Sequence, residues 1–166
     1  MTVLIGLPLL ALAAVLQATL LPRLPLLGGA LDVVLLLSLG WTLAGDWIGG
    51  ILWGFIGGLC LDLLSGGPFG AAMVGMTLMA FFASLTEGRF WRSHVLLPLA
   101  TISLGTLGYH GVYLILLALS GHSVDWVFSL GRVVLPATLF NTLAMLPMYH
   151  ALRWLHGLIT PEPIAI

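Results

Sequence analysis

The sequence predicts an all-α polytopic membrane protein with about six transmembrane helices. Hydrophobic residues make up 60% of its 166 residues and charged residues only 7%, whereas soluble domains carry about 25% charged residues. Its mean hydropathy is +1.16. So few charges cannot cover a soluble surface, and disorder would require low hydrophobicity and high net charge. A net charge of −1 without a basic run also argues against nucleic acid as a partner.

Charged side chains separate long apolar segments, and these segments predict the individual helices. A transmembrane helix needs about 20 residues, and continuous apolar runs differ from the alternating segments of a membrane β-barrel. We predict one integral membrane domain over residues 1–166 and place its helices at about 3–21, 27–45, 47–64, 69–86, 95–119 and 131–155. The short tails and loops that remain leave no room for a soluble catalytic or receptor domain.

The first and second spans need separate arguments. The first is expected to stay uncleaved, because no basic segment precedes it and its apolar run is longer than that of a signal peptide. In the second, only 13 residues separate Asp32 from Asp46. This helix therefore either starts before Asp32 or is short and tilted. A chain with five spans would place its C-terminus on the opposite side of the membrane.

Arginine positions predict the orientation of the chain. Six spans place Arg89, Arg92 and Arg153 on one side and Arg23 and Arg132 on the other. Positively charged residues concentrate on the cytoplasmic side of membrane proteins. We therefore expect both termini in the cytoplasm.

The third span carries a row of glycines that ends at a carboxylate. Gly50, Gly54 and Gly58 recur every four residues and share one helical face, and Asp62 lies one step further along the same row. Small residues allow helix backbones to approach closely in lipid. The row therefore predicts a tight seam, formed either within this subunit or with a helix of another protein.

Asp62 requires compensation, because a carboxylate within a membrane segment is costly and a helix C-terminus disfavours negative charge. Residues 65–70 predict a tight turn directly after it, and Pro68 could start the next helix. Ser65, the amides of the turn, an arginine from elsewhere or protonation could compensate the charge. Three roles stay open: fastening the turn, coupling to a proton or ion, and contact with a partner.

Polar residues in the fifth and sixth spans predict either hydrogen bonds across the bundle or a small-molecule pocket. They lie at helical spacing and comprise Ser103, Thr106, His110, Tyr113, Thr138, Asn141 and Thr142. The five histidines show no spacing typical of metal or haem ligands. No nucleophile-elbow or zinc-protease motif occurs either. We expect no catalytic site, no metal and no cofactor.

Two stretches of the chain resemble the bacterial rod shape-determining protein family MreD. Residues 16–32 read LQATLLPRLPLLGGALD, and residues 54–70 read GFIGGLCLDLLSGGPFG. The second stretch resembles the family block Gly-Phe-x-x-Gly-Leu-x-x-Asp-Leu-x-Ser-Gly-x-Pro-Leu-Gly. The matching positions are Gln17, Pro22, Arg23, Asp32, Gly54, Phe55, Gly58, Leu59, Asp62, Ser65, Gly66, Pro68 and Gly70. Leu31 and Phe69 depart from the family pattern, and about a third of the chain carries the resemblance.

The resemblance implies a non-enzymatic component of the elongation machinery in the bacterial cytoplasmic (inner) membrane, helping to scaffold and regulate peptidoglycan synthesis and rod shape. The implied main partner is MreC, a single-span protein with a large extracytoplasmic domain; MreB, RodA with its transpeptidase partner, and membrane lipids are further implied partners. Structural or partner-interface candidates are Gln17, Arg23, Asp32, Gly50, Gly54, Gly58, Asp62, Ser65, Pro68 and Gly70.

The MreD family is also similar in fold to the substrate-binding S-components of energy-coupling-factor vitamin transporters, which have six helices. An S-component is therefore the alternative function. Ala14 and Ala18 resemble the small-residue seam with which such components dock. An occupied polar pocket lined by His110 and Asn141 would favour this alternative.

Overall fold

A computed structural model describes residues 2–23, 31–85 and 96–159, with side chains from residue 6 onward. Within these ranges the chain forms six helices and short connections, and it contains no strand. The helices are α1 (Thr2–Thr19), α2 (Val33–Ala44), α3 (Trp47–Leu64), α4 (Ala71–Ser84), α5 (Leu96–Leu119) and α6 (Trp126–Ile159). The all-α architecture that the sequence predicts is confirmed. Arg89 and Arg92, on which the predicted orientation partly rests, lie outside the described residues.

Four of the six helices are long and apolar enough to cross a membrane: α1 with the 3-10 turn Leu21–Arg23 that follows it, α3, α5 and α6. The other two are shorter, with 12 residues in α2 and 14 in α4. At 1.5 Å per residue these lengths are about 18 and 21 Å, against a hydrocarbon core of about 30 Å. Helix ends at that depth cannot rely on water, so their backbone groups need partners within the protein.

The short helix α2 lies at the centre of the bundle. Its residues 34–42 are all buried, and α2 contacts each of the other five helices. A helix that is apolar on all sides is expected to be enclosed in this way. The sequence predicts a start near residue 27, but the helix begins at Val33, and Leu31 and Asp32 before it are not helical. Of the two alternatives for the second span, the short helix therefore describes α2. Asp32 lies just before the helix, and its side chain bonds to residues of three other helices.

The glycine row of α3 packs against helices of its own chain. A Cβ atom at Gly58 would lie 2.5 Å from Met73 Cα in the α4 backbone, and one at Gly50 would lie 2.7 Å from the Thr42 backbone nitrogen in α2. Gly54 faces both neighbours, Ser38 of α2 and Met76 of α4. Because this face is occupied by α2 and α4, it is not a free surface for a partner's helix.

The turn between α3 and α4 comprises residues 65–70 and ends in a left-handed glycine. Gly70 has φ +93° and precedes the first residue of α4, Ala71. Pro68 therefore does not start the helix, as the sequence suggests it could, and the predicted start at residue 69 is two residues early. Instead, the Pro68 carbonyl accepts a hydrogen bond of 3.2 Å from the backbone N–H of Ala71.

Helix α6 begins before the position that the sequence predicts. Residue 131 is the predicted start, but the helix begins at Trp126 after the cap Asp125, whose carboxylate accepts a hydrogen bond of 3.0 Å from the Phe128 N–H. A π-helical turn, Leu130–Val134, interrupts the regular helix. Such turns insert one residue into an α-helix and often occur at functional sites. Val133 and Val134 of this turn line a cavity between α1, α3, α5 and α6.

Candidate functional site

A buried hydrogen-bond network surrounds the carboxylate of Asp32, which is 4% exposed at the start of α2. Its Oδ2 atom accepts a hydrogen bond of 2.8 Å from Asn141 Nδ2 of α6 and lies 3.0 Å from His110 Nε2 of α5. Its Oδ1 atom accepts a longer bond of 3.3 Å from Gln17 Nε2 of α1. Three other helices therefore hold this carboxylate in place.

The same amide side chains also cap the N-terminus of α2. Asn141 Oδ1 accepts the backbone N–H of Asp32 at 2.9 Å, and Gln17 Oε1 accepts the N–H of Val34 at 3.0 Å. The first N–H groups of a helix have no partner within the helix, and here α1 and α6 supply the acceptors. Asn141 Nδ2 also donates to Thr106 Oγ1 at 3.2 Å. We call Gln17, Asp32, Thr106, His110 and Asn141 the α2-cap network.

The α2-cap network lies well inside the bundle. His110 is nine residues before the end of α5 at Leu119, a distance of about 14 Å along the helix. Asn141 is 0% exposed. The protein has one glutamine and one asparagine, and both are used at the start of α2. Because α2 is short, its polar start lies inside the bundle, where side chains of α1, α5 and α6 satisfy it.

Asp62 caps the other short helix, α4, from the end of α3. Its Oδ2 atom accepts the backbone N–H groups of Gly70 and Met73, both at 3.0 Å, and its Oδ1 atom accepts that of Ala72 at 2.9 Å. Asp62 is 4% exposed. Of the compensating groups that the sequence allows, the amides of the turn and of the first turn of α4 make these contacts. This is the geometry of a carboxylate that fastens the turn.

A partly open cavity of about 530 Å³ lies between α1, α3, α5 and α6, at the end of the bundle where α2 and α4 begin. Its walls include Leu61, Leu114 and Val134, together with polar side chains from α1, α5 and the turn. Gln17 and His110 belong to both the cavity wall and the α2-cap network. Asn141, in contrast, is not part of the wall.

The remaining predicted site residues lie around this end of the bundle. Ser65 lines the cavity, and Arg23 is exposed at the end of the 3-10 turn after α1.

Polar contacts across the bundle also include the pair Ser103 and Thr142, whose hydroxyl oxygens are 2.8 Å apart. In residues 2–23, 31–85 and 96–159, no three His, Cys, Asp or Glu side chains come together as metal ligands would.

Sequence reasoning identifies the polar residues of α5 and α6 but not their partners. Asn141 and Asp32 are 109 positions apart, and His110 and Asp32 are 78 apart. One available signal is that a lone asparagine in an apolar span needs a buried hydrogen-bond partner. No local pattern indicates that this partner is the start of α2.

Comparison with known proteins identifies a family. No curated protein and no solved structure matches the chain, so the similarity to transporter S-components that the resemblance implies is not shown. The model of the rod shape-determining protein MreD family matches residues 1–159. This match extends well beyond the two stretches that carry the resemblance and covers all six helices. The chain belongs to the rod shape-determining protein MreD family.

Proposed function

We propose that this protein is a non-enzymatic component of the cell-elongation machinery, in which it binds MreC and helps to scaffold and regulate peptidoglycan synthesis. Its family makes it a rod shape-determining membrane protein. The observation that carries the proposal is the use of its two intramembrane carboxylates. Asp32 and Asp62 each hold the start of a short helix, which favours a fixed structural support.

The described outer surface is suited to contact with lipid and with a partner's helix within the bilayer. Large apolar side chains are exposed on the outer helices; among them Leu12 of α1, Phe82 of α4, Leu104 of α5 and Leu139 of α6 are between 54 and 69% exposed. A single spanning helix of MreC would meet leucine and phenylalanine there. Packing between such helices depends on close van der Waals contact. MreB and RodA with its transpeptidase partner are proposed to join the same assembly.

The proposed orientation places both termini in the cytoplasm of a bacterial cell. The end of α1 and the start of α6 meet at one end of the bundle, because Pro22 and Ser129 line the same cavity. Arg23 and Arg132 follow these two residues closely, so they belong to that end, whereas Arg153 lies near the last residue of α6. The proposal assigns Arg89 and Arg92 to the same side as Arg153, which gives that side three arginines against two and makes it cytoplasmic. The cavity then faces the extracytoplasmic side, on which MreC carries its large domain.

Co-purification tests the proposed contact with MreC. The full chain is expressed with MreC, extracted in mild detergent and captured through a tag on this chain. We expect wild-type MreC to co-elute. A form of MreC whose spanning helix is replaced by an unrelated apolar helix is expected to be absent from the eluate. Retention of the exchanged MreC at the wild-type level would contradict binding within the bilayer, and failure of wild-type MreC to co-elute would contradict the proposal itself.

Exchanging the helix of MreC is a sharper test than changing the glycine row. Leucine at Gly58 would meet the α4 backbone, so loss of MreC from that variant would report a damaged bundle. Restoration of rod shape in cells that lack their own copy of this protein gives an independent measurement. We expect restoration with wild-type MreC and round cells with the exchanged form.

The alternative function as a vitamin-binding S-component meets only half of its criterion, because His110 lines the cavity and Asn141 does not. It requires Asn141 in the wall of a polar pocket, but both polar atoms of its side chain are engaged in the α2-cap network. It also uses Ala14 as part of a docking seam, and Ala14 is 0% exposed. We therefore retain the role in elongation.

A further inference from the structure

We propose that the cavity between α1, α3, α5 and α6 binds one uncharged amphiphile from the membrane, with an apolar chain and a hydroxyl-bearing head, such as a monoacylglycerol. Its volume of about 530 Å³ falls within the range of about 300–1,000 Å³ that is typical of ligand sites in proteins. Such sites combine largely apolar walls with a few fixed polar groups. This cavity has both features.

The apolar part of the wall is suited to a hydrocarbon chain. Leu61 and Leu64 of α3, Leu114 of α5 and Val133 of α6 contribute to it. The cavity is partly open, and Leu64 is 48% exposed. A lipid chain in the cavity would contact aliphatic side chains of three helices.

The polar part of the wall has free hydrogen-bonding capacity on α5, in addition to the hydroxyls of Ser65 and Ser129. Among the described residues, the hydroxyl groups of Tyr109 and Tyr113 have no hydrogen-bond partner, although both residues line the cavity. The Tyr113 hydroxyl lies where a Cβ atom on Gly67 would be, so it is held against the turn of residues 65–70. Hydroxyl groups without protein partners in a protected site require water or a ligand.

His110 adds a ring nitrogen beside these hydroxyls. Its Nε2 atom faces the Oδ2 atom of Asp32 at 3.0 Å, which leaves Nδ1 for a ligand. Nδ1 accepts in the neutral imidazole with hydrogen on Nε2 and donates in the imidazolium. A hydroxyl on the ligand can pair with Nδ1 in either form and accept from a tyrosine.

The described part of the wall favours an uncharged head. No arginine, aspartate or glutamate lines the cavity within the described residues, and the carboxylate of Asp32 lies behind His110 and is 4% exposed. A phosphate or ammonium group would lose its hydration without gaining a counter-charge, which is costly. A glycerol hydroxyl loses less and gains hydrogen bonds.

Photolabelling of the full chain in phosphatidylcholine nanodiscs tests the site. The probe is a monoacylglycerol with a diazirine in its 16-carbon chain, and the competitors are 1-palmitoylglycerol and the lysophosphatidic acid of the same chain. We expect labelling to saturate at one probe per chain and to be displaced by 1-palmitoylglycerol at a concentration at least tenfold lower than by lysophosphatidic acid. Labelling that never saturates, or equal displacement by both competitors, would overturn the proposal.

Two pairs of variants locate the site. Val133→Phe fills the cavity and is expected to reduce labelling at least tenfold, whereas Leu135→Phe, on an exposed position of the same helix, is expected to leave it unchanged. Tyr113→Phe removes one hydroxyl without changing the packing and is expected to weaken binding about fivefold, the effect of one hydrogen bond. Tyr149→Phe, outside the cavity, is its control.

If Val133→Phe folds poorly, the comparison of Tyr113→Phe with Tyr149→Phe still tests the proposal. Wild-type labelling in a folded Val133→Phe variant would refute binding in the cavity. Equal affinity of the Tyr113→Phe and Tyr149→Phe variants would refute the assigned polar contact.

Discussion

Replacement of Asp62 by asparagine is expected to lower the free energy of unfolding by about 1–3 kcal/mol, the cost of one stranded buried donor. The two carboxylate oxygens accept three backbone N–H groups, those of Gly70, Ala72 and Met73. Asparagine has a single acceptor oxygen. If this oxygen takes the place of Oδ2, two of the bonds remain, and the N–H of Ala72 faces an NH₂ group that cannot accept it.

The matched control is Asp125→Asn. Asp125 is exposed and accepts one backbone N–H, that of Phe128 at 3.0 Å, at the start of α6. Asparagine serves as well as aspartate at such a position, so the expected change is within about 0.5 kcal/mol. Both variants are unfolded reversibly in mixed micelles by titration with sodium dodecyl sulfate, and helix content is followed by circular dichroism.

Equal stability of the two variants would refute the capping role of Asp62. If Asp62→Asn kept its stability but failed to restore rod shape in cells, the carboxylate would instead serve ion coupling or contact with a partner. If both stability and shape fell together, and a lower growth temperature restored shape, fastening of the turn would account for both effects.

Further substitutions probe the other contacts. Gly58→Ala is expected to destabilise the protein by about 1–3 kcal/mol because its Cβ would meet the α4 backbone. Gly111→Ala, in open space on α5, is expected to stabilise it by about 0.5–1 kcal/mol. Changes of the same sign for both variants in thermal unfolding would contradict this packing. Asn141→Leu is expected to cost about 2 kcal/mol or more in the detergent titration, since α2 loses a donor and an acceptor, and Thr142→Val less than about 1 kcal/mol; equal losses would argue against the α2-cap network. Gly70→Ala is expected to cost about 1–2 kcal/mol because its φ is +93°, and an unchanged midpoint would show that the turn relaxes.

Local signals in the sequence predict some helices well and others poorly. The predicted span 47–64 coincides with α3 (Trp47–Leu64), because Asp46 caps its start and a glycine-rich turn follows its end. The start of α2 differs from the prediction by six residues, that of α4 by two and that of α6 by five. The starts of α2 and α4 are held by side chains from other helices, and local propensity contains no information about those contacts.

The residues of the candidate site also differ in how far the sequence predicts them. Gln17, Asp32 and Asp62 stand out in the sequence as polar groups in apolar segments or as positions of the MreD pattern. The roles of Asn141 and His110 follow only from their contacts with Asp32, across 109 and 78 positions of the chain. These contacts exist because α2 is too short to bring its polar start to the membrane surface.

Composition alone predicts a helical membrane protein, since hydrophobicity over about 20 residues is a property of short segments. Two stretches of the sequence add the resemblance to the MreD family, and the family match over residues 1–159 confirms it. Tertiary structure decides that the glycine row faces inward, that Asp32 and Asp62 hold helix starts, and that Tyr109 and Tyr113 border a cavity. The reason is physical. In lipid the backbone donors at helix starts need acceptors within the protein, and only the packing of the helices determines which acceptor is within reach.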